Sequence, residues 1–423
     1  MTNKIYWLSD SPLTCTGFAT ISANILNGLS ENGMDCYYQA HNHLGQTLVP
    51  PITFEDGRQL KFKVMGTGLQ PYSQDMLMPR IKEIRPDIFG VLLDTFMLYP
   101  WSLNLDYAPA KTIFYFPSDG GGGLPLRCEN ILKKFTNPVA MSKFAQRQLK
   151  ELYNINSEYI PHAIDSSNYF PLPEQEKLQL KTNWGLQDKF VVGCVYRNQG
   201  RKMPDRMLKA FSIFAKNHQD VIFLLHTDPY DNAAVFDTIE FANRFGIQNR
   251  ILFTGMKFFK GFDYKKMNEV YNLMDIFFMS TSGEGFGVPI IEAMSCRVPV
   301  VCTDYTTTPE LLIEDGVCGI PVGLVGTEEV SMANWMEERY GKESFELKKY
   351  DELVMNGTLT GNWNVERGLM DVNKGVEALE KLYQDKQLRK DMGIIGRDKV
   401  LRFYDWNVVI PQWIKLINKI QEV

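Results

Sequence analysis

The chain has 423 residues, a net charge of −5 and a pI near 5.7, which is length enough for two or three domains. Apolar residues make up 44% and charged residues 22%, which excludes a disordered, collagenous or coiled-coil chain. The acidic balance disfavours a dedicated nucleic-acid binder while leaving a locally positive cleft open.

The first ten residues hold no apolar core of a secretory signal, and no apolar run approaches the ~18 residues that span a bilayer. The seven cysteines are odd in number and none stands in C-x-x-C spacing. They predict free thiols in a reducing cytoplasm rather than structural zinc. His41 and His43 have no third ligand nearby and predict a polar loop rather than a metal site.

Along the chain, Lys4–Ser9 predicts a strand and is followed by a turn-rich stretch ending at Gly17. Ile21, Ile25, Leu26 and Leu29 recur at helical spacing, and Gly33 stops that helix. Cys36–Gln39 predicts a second strand and Met76–Ile84 a helix broken before Pro86. Asp87–Asp94 and Thr112–Phe116 are apolar runs of the kind buried on both faces of a parallel sheet. Tyr169–Glu174 is a proline-marked linker, with a boundary placed near 171–188. The same grammar then restarts, with strands at Phe190–Val195, Val221–Leu225, Ile251–Thr254, Ile276–Ser280 and Val298–Thr303, and a helix at Met207–Ala215. Residues 326–368 break the pattern. They are polar and charged, with Trp335 and Trp363 scattered through them, and predict a surface insertion. Val376, Leu379, Leu382 and Tyr383 resume a helical stripe, and Val408–Ile420 predicts a last helix.

This alternation predicts two α/β domains, residues 1–175 and 185–400, each a doubly wound parallel sheet. Ligands of such sheets bind outside the carboxyl ends of the strands, and two such edges can face one another across a cleft.

The strongest motif is Ser280–Met294, which follows a strand and opens a helix. Gly283, Gly285 and Gly287 alternate in it, so backbone can approach a ligand without Cβ obstruction. Pro289 suits a first helical turn, where free N–H groups favour an anion such as a phosphate. Glu284 and Glu292, spaced E-x7-E, can accept hydrogen bonds from sugar or ribose hydroxyls. The stretch Val195–Lys202, which follows a strand and precedes a helix, carries Arg197 and Lys202, a pair suited to a pyrophosphate. As loop residues, these cations are expected to support no core. Gly17 marks the first strand–helix turn of the first domain, as a tight turn or as a place of ligand approach. Phe116–Gly123 carries Asp119 before four glycines, which imply mobility or close approach of a substrate. Asp119 is a candidate for hydroxyl binding or proton transfer, and equally an ordinary turn residue. The stretch Phe96–Trp101 reads as core ahead of an apolar acceptor site.

The chain resembles the retaining group-1 glycosyltransferases of the GT-B fold, family 4 of the sequence-based classification. The resemblance rests on Ser142-Lys143-Phe144, Ile160–Asp165, Arg197 with Lys202, and Gly283-Glu284-Gly285-Phe286-Gly287 through Glu292. Pro299-Val300-Val301, Thr308–Leu311, Leu388-Arg389 through Gly393, and Tyr404-Asp405-Trp406 continue it. It implies two Rossmann-like domains facing across a cleft, the first for the acceptor and the second for a UDP- or GDP-activated sugar. Arg197 and Lys202 would hold the pyrophosphate, Glu292 the ribose, and Glu284 with the N–H groups of Phe286 and Gly287 the sugar. Gly285 would lie beside the donor. The resemblance also implies no bound metal or cofactor, a glycan or glycolipid acceptor, and a last helix, about 405–423, that crosses back to the first domain. The chain departs from the family in lacking a His in its 117–120 loop, and His162 reads as structural. An epimerase of the same fold, a non-catalytic sugar-nucleotide binder, peripheral membrane contact and a nucleobase acceptor stay open as alternatives.

Overall fold

The computed structural model describes residues 3–14, 16–54, 57–69, 73–95, 97, 110–122, 132–231, 234–257, 261–331 and 364–422. Cys15, Phe96, 98–101, Gly123, Cys128, Trp335 and Trp363 lie outside the described residues, as does most of the insertion.

The first half supplies β1 (Lys4–Ser9), β2 (Asp35–Ala40), β3 (Ile52–Thr53), β4 (Gln59–Leu60), β5 (Lys63–Met65), β6 (Ile88–Val91), β7 (Lys111–Phe116), β8 (Asn137–Ala140) and β9 (Glu158–Tyr159). Seven of them form one sheet in the order β5-β2-β1-β6-β7-β8-β9, parallel throughout. The reversal of strand order at β1 opens a crevice above its carboxyl end. Helix Gly17–Glu31 follows β1, and its N-cap Thr16 accepts a hydrogen bond from the Ala19 N–H at 3.2 Å.

The second half repeats the plan with β10 (Phe190–Val195), β11 (Val221–His226), β12 (Ile251–Phe253), β13 (Ile276–Met279), β14 (Val300–Thr303) and β15 (Gly319–Val322). Their order is β12-β11-β10-β13-β14-β15, again parallel. The central strands β10, β11, β13 and β14 are almost wholly buried, as helices on both faces require. The two sheets are those of the GT-B fold.

Three observations differ from the sequence reading. The linker contains a helix, Glu174–Asn183, with two glutamates in its first turn and no fully buried residue. Good helix formers and favourable charge at the N-terminus make it, in place of an apolar stripe. The ends of the insertion are ordered strands, β16 (Leu324–Ser331) and β17 (Asn364–Met370), paired antiparallel. Finally, β17 does not lie on a free surface, because Glu366 forms an antiparallel bridge with Gly121 of the first half.

The halves also meet elsewhere. The last helix, Trp406–Gln421, sets the Trp413 ring edge-on against Trp7 of β1 and Tyr115 of β7. Ile164 donates its N–H to the Tyr404 carbonyl at 2.9 Å, and Trp406 returns one to Ile164 at 3.1 Å. Glu310 accepts the N–H groups of Lys143 and Phe144 at 3.1 and 2.9 Å, satisfying the start of helix Lys143–Tyr153.

Candidate functional site

Strand β13 ends at Met279 and helix Val288–Ser295 begins after Gly287, so Ser280–Gly287 turns at the carboxyl edge of the second sheet. Gly287 has φ 101°, a left-handed conformation that an L side chain resists. Pro289 occupies the first turn. The loop is held from behind. Thr307 donates its hydroxyl to the Phe286 carbonyl at 2.9 Å, Thr306 accepts the Glu284 N–H at 3.0 Å, and Ser280 donates to the Met203 carbonyl at 2.6 Å. These bonds fix the glycine loop before any ligand arrives, so its free donors need little reorganisation on binding.

Glu284 is the electrostatic centre. Its carboxylate accepts Lys202 Nζ at 2.5 Å and Arg201 Nη1 at 2.8 Å. Burial by itself would raise its pKa, but the two cations overcome that and hold it at about 2. Glu284 is therefore a carboxylate at any working pH. Lys202 is buried, which departs from the expectation for a loop cation. Burial and the neighbouring Arg201 lower its pKa, and Glu284 opposes them. Arg201 was not singled out by the sequence. It also donates to the Gly283 carbonyl at 3.0 Å and lies 3.4 Å from Asp119 of the first half. Its only signal in the sequence is its place beside Lys202.

Arg197 projects from the end of β10 towards Asp231, with Nε 3.3 Å from Oδ2, and is more exposed than Arg201. Glu292 lies one turn into the helix and accepts the Tyr271 hydroxyl at 2.5 Å. Burial raises its pKa from 4.5 to about 7, against the hydrogen bonds of Tyr271 and Tyr169. The Phe286 side chain is buried against His162 and Tyr404, which leaves its backbone N–H as the group it can offer a ligand. A Cβ at Gly285 would meet nothing closer than 3.6 Å, and one at Gly17 would meet nothing within 4 Å.

From the first half, Asp119 reaches Arg201 and also Arg367 of β17, at 3.2 Å. Asp94, after β6, joins this group. Burial and the nearby Asp119 raise its pKa to about 7, while Arg201 and Arg367 act the other way. Arg367 lies in the insertion, where no motif or spacing marks it. The glycines need a corrected account. A Cβ at Gly283 would stand 1.8 Å from the Asp119 carbonyl, and one at Gly120 2.3 Å from Val365 Cγ1. At these two positions it is another part of the chain, not a ligand, that requires glycine.

His162 accepts or donates with the Tyr115 hydroxyl at 2.8 Å, and burial lowers its pKa to about 3, so it is neutral. His41 pairs with Asp10 at 2.7 Å. Among the described residues no cluster of His, Cys, Asp or Glu has the form of a metal site, and no helix is long and apolar enough to cross a membrane.

Residues 176–329, which carry the glycine loop and its cations, match the family described as glycosyl transferases group 1. Over that stretch the chain is similar to the group-1 glycosyltransferases. A GDP-mannose-dependent phosphatidylinositol monomannoside mannosyltransferase of Mycolicibacterium smegmatis is 25% identical over 42% of this chain and 45% of its own length. The α-galactosylglucosyldiacylglycerol synthase of Streptococcus pneumoniae is 27% identical over 34% and 37%. The match thus spans less than half the length of these curated relatives. In structure, the chain is similar over 99% of its length to the sucrose-phosphate synthase of Thermosynechococcus elongatus, covering 99% of that chain at TM-score 0.72 and 13% identity. HepE of Anabaena, solved with UDP and glucose, is similar over 99% of this chain and 100% of its own at TM-score 0.69 and 13% identity. Likeness at that identity shows the shared fold.

Proposed function

We propose that this chain is a retaining glycosyltransferase that moves a sugar from a nucleotide-sugar to a hydroxyl acceptor. The observation that carries the reading is Glu284, held ionised by Arg201 and Lys202 on the glycine loop at the N-terminus of helix Val288–Ser295. The donor sits at the carboxyl edge of the second sheet and the acceptor enters from the first, which we take as domains 1–175 and 185–400.

When the bond from the anomeric carbon to the diphosphate breaks, negative charge grows on the leaving oxygen. Lys202, Arg197 and the N–H groups at the helix start meet that charge. Arg201 is occupied by Glu284, Asp119 and the Gly283 carbonyl and serves to orient them. Glu284 accepts hydrogen bonds from sugar hydroxyls and Glu292 from the ribose, with Tyr271 orienting Glu292. Phe286 and Gly287 supply backbone donors, and Gly285 and Gly17 leave room on either side of the cleft. Asp119 receives an acceptor hydroxyl. The acceptor hydroxyl attacks on the face from which the diphosphate departs and passes its proton to the departing diphosphate oxygen, so the anomeric configuration is retained. The acceptor is a glycan or glycolipid, a class supported by the glycolipids in the names of the two curated relatives, and the reaction proceeds in the cytoplasm.

A panel of UDP- and GDP-sugars assayed for nucleoside diphosphate release tests this, with glycans and glycolipids as acceptors. Acceptor-dependent release supports it. Absence of both binding and release across the whole panel would sink it. The product's anomeric proton coupling should show the donor's configuration, and an inverted product would remove the retaining assignment. Turnover should persist in excess chelator, because cations of the chain meet the leaving charge. Loss that Mn2+ or Mg2+ restores would refute metal independence.

A further inference from the structure

We propose that β17 is a clasp holding the cleft between the two sheets closed, with Arg367 as the residue that positions Asp119 against Arg201. One strand of seven residues engages both halves of the molecule. On one side, Glu366 donates its N–H to the Gly121 carbonyl at 3.2 Å and accepts the Gly121 N–H at 3.0 Å. On the other, Gly368 donates its N–H to the Ser282 carbonyl at 3.0 Å, at the start of the glycine loop. Between them, Arg367 bonds the backbone carbonyl of Asp119 and lies 3.2 Å from its Oδ1. The other carboxylate oxygen of Asp119 lies 3.4 Å from Arg201. Tyr305, following β14, closes the joint, with its hydroxyl donating to Glu366 Oε1 at 2.7 Å and accepting the Gly121 N–H at 3.0 Å.

This joint explains residues that the site chemistry leaves unexplained. A Cβ at Gly120 would stand 2.3 Å from Val365 Cγ1 and 2.8 Å from the Glu366 carbonyl. A Cβ at Gly121 would stand 2.4 Å from Glu366 Oε1 and 2.6 Å from the Tyr305 hydroxyl. Two adjacent glycines are what lets β17 approach the loop. Gripped at both its carbonyl and its carboxylate, Asp119 has little freedom to turn from the cleft. The paired bonds at Gly121 and Glu366 exist only while the halves are together. Their amides therefore report closure directly, whatever donor the enzyme takes, and the proposal stands apart from the transferase reading.

The test is hydrogen–deuterium exchange on the ligand-free full chain, read in peptides covering 119–122 and 364–368. In the unaltered protein both segments should be protected. Gly120→Val, which blocks the approach, and Arg367→Ala, which frees Asp119, should each raise exchange there at least ~10-fold, the signature of local opening. Exchange in β1 and β10 should stay unchanged, and Arg367→Lys should recover much of the protection. Unprotected amides in the unaltered protein, or unchanged exchange in both variants, would overturn the clasp. So would an equal rise throughout both sheets in both variants, since a clasp loosens the cleft and not the cores.

Discussion

Lys202→Ala is expected to slow turnover at least ~100-fold, about 2.7 kcal/mol by transition-state arithmetic. A charge-assisted hydrogen bond is worth ~1.5–3 kcal/mol, and more where charge develops in a dry cleft. The same change should lower the melting temperature by a few degrees. Lys202 is buried on Glu284, and its removal leaves that carboxylate with Arg201 as its remaining cation among the pairs seen. An undercompensated buried charge costs about 1–3 kcal/mol. Combining Lys202→Ala with Glu284→Gln should return part of the lost stability and none of the activity, because the charge is then gone while the leaving diphosphate still lacks its partner. Arg197→Ala should slow turnover to a similar degree with little change in melting temperature, as its side chain is half-exposed and outside the core. Near-normal turnover in both cation variants would remove the main support for the mechanism. The measurements are steady-state kinetics with donor saturating and thermal unfolding without ligand.

Glu292→Gln is expected to stabilise the free protein at alkaline pH while weakening donor binding. The folded protein holds this carboxyl at about 7, above the ordinary 4.5, because burial disfavours its charge. A raised acid pKa means that the folded state binds the proton more tightly than the unfolded state. The residue thus costs nothing below about pH 4.5, costs progressively more from 4.5 to 7, and carries its full cost above 7. That cost is of order 1–3 kcal/mol. Gln keeps an oxygen for the Tyr271 hydroxyl and has no proton to lose. The variant and the unaltered protein should therefore melt together near pH 4 and diverge by several degrees at pH 8, with the variant higher. Donor KM should rise several-fold with kcat little changed, since ribose contacts differ little between ground and transition states. Equal melting temperatures at pH 8 would contradict the stability argument, and an unchanged KM would remove Glu292 from the donor site.

Much of the fold could be read from runs of apolar residues. β1, β7, β10, β11, β13 and β14 are segments buried on both faces, and such segments announce themselves without any partner in view. Short or polar elements could not be read that way. β8 spans four residues around Pro138, and β5 only three. Helix Glu174–Asn183 has no buried face to show as a period. The glycine loop was legible because it is one contiguous segment whose glycines, proline and glutamates all serve the same turn. Arg201 and Lys202 are adjacent, and spacing alone could not say that both would grip Glu284, 83 and 82 residues away.

The sequence by itself determined two doubly wound sheets, the glycine loop with its two glutamates, and cations within the preceding βα-loop. These follow from local causes: apolar runs that must be buried, backbone that needs glycine, and a helix start that offers free N–H groups. Tertiary structure alone decided which charges meet. It brought Asp119, Arg201 and Arg367 together from three distant segments, buried Lys202, and turned Gly120 and Gly121 into the seat of β17. Contacts between residues far apart in the chain depend on how the two sheets are set against one another. That arrangement is fixed by packing of surfaces such as Trp413 on Trp7 and Tyr115, to which no single segment holds both sides.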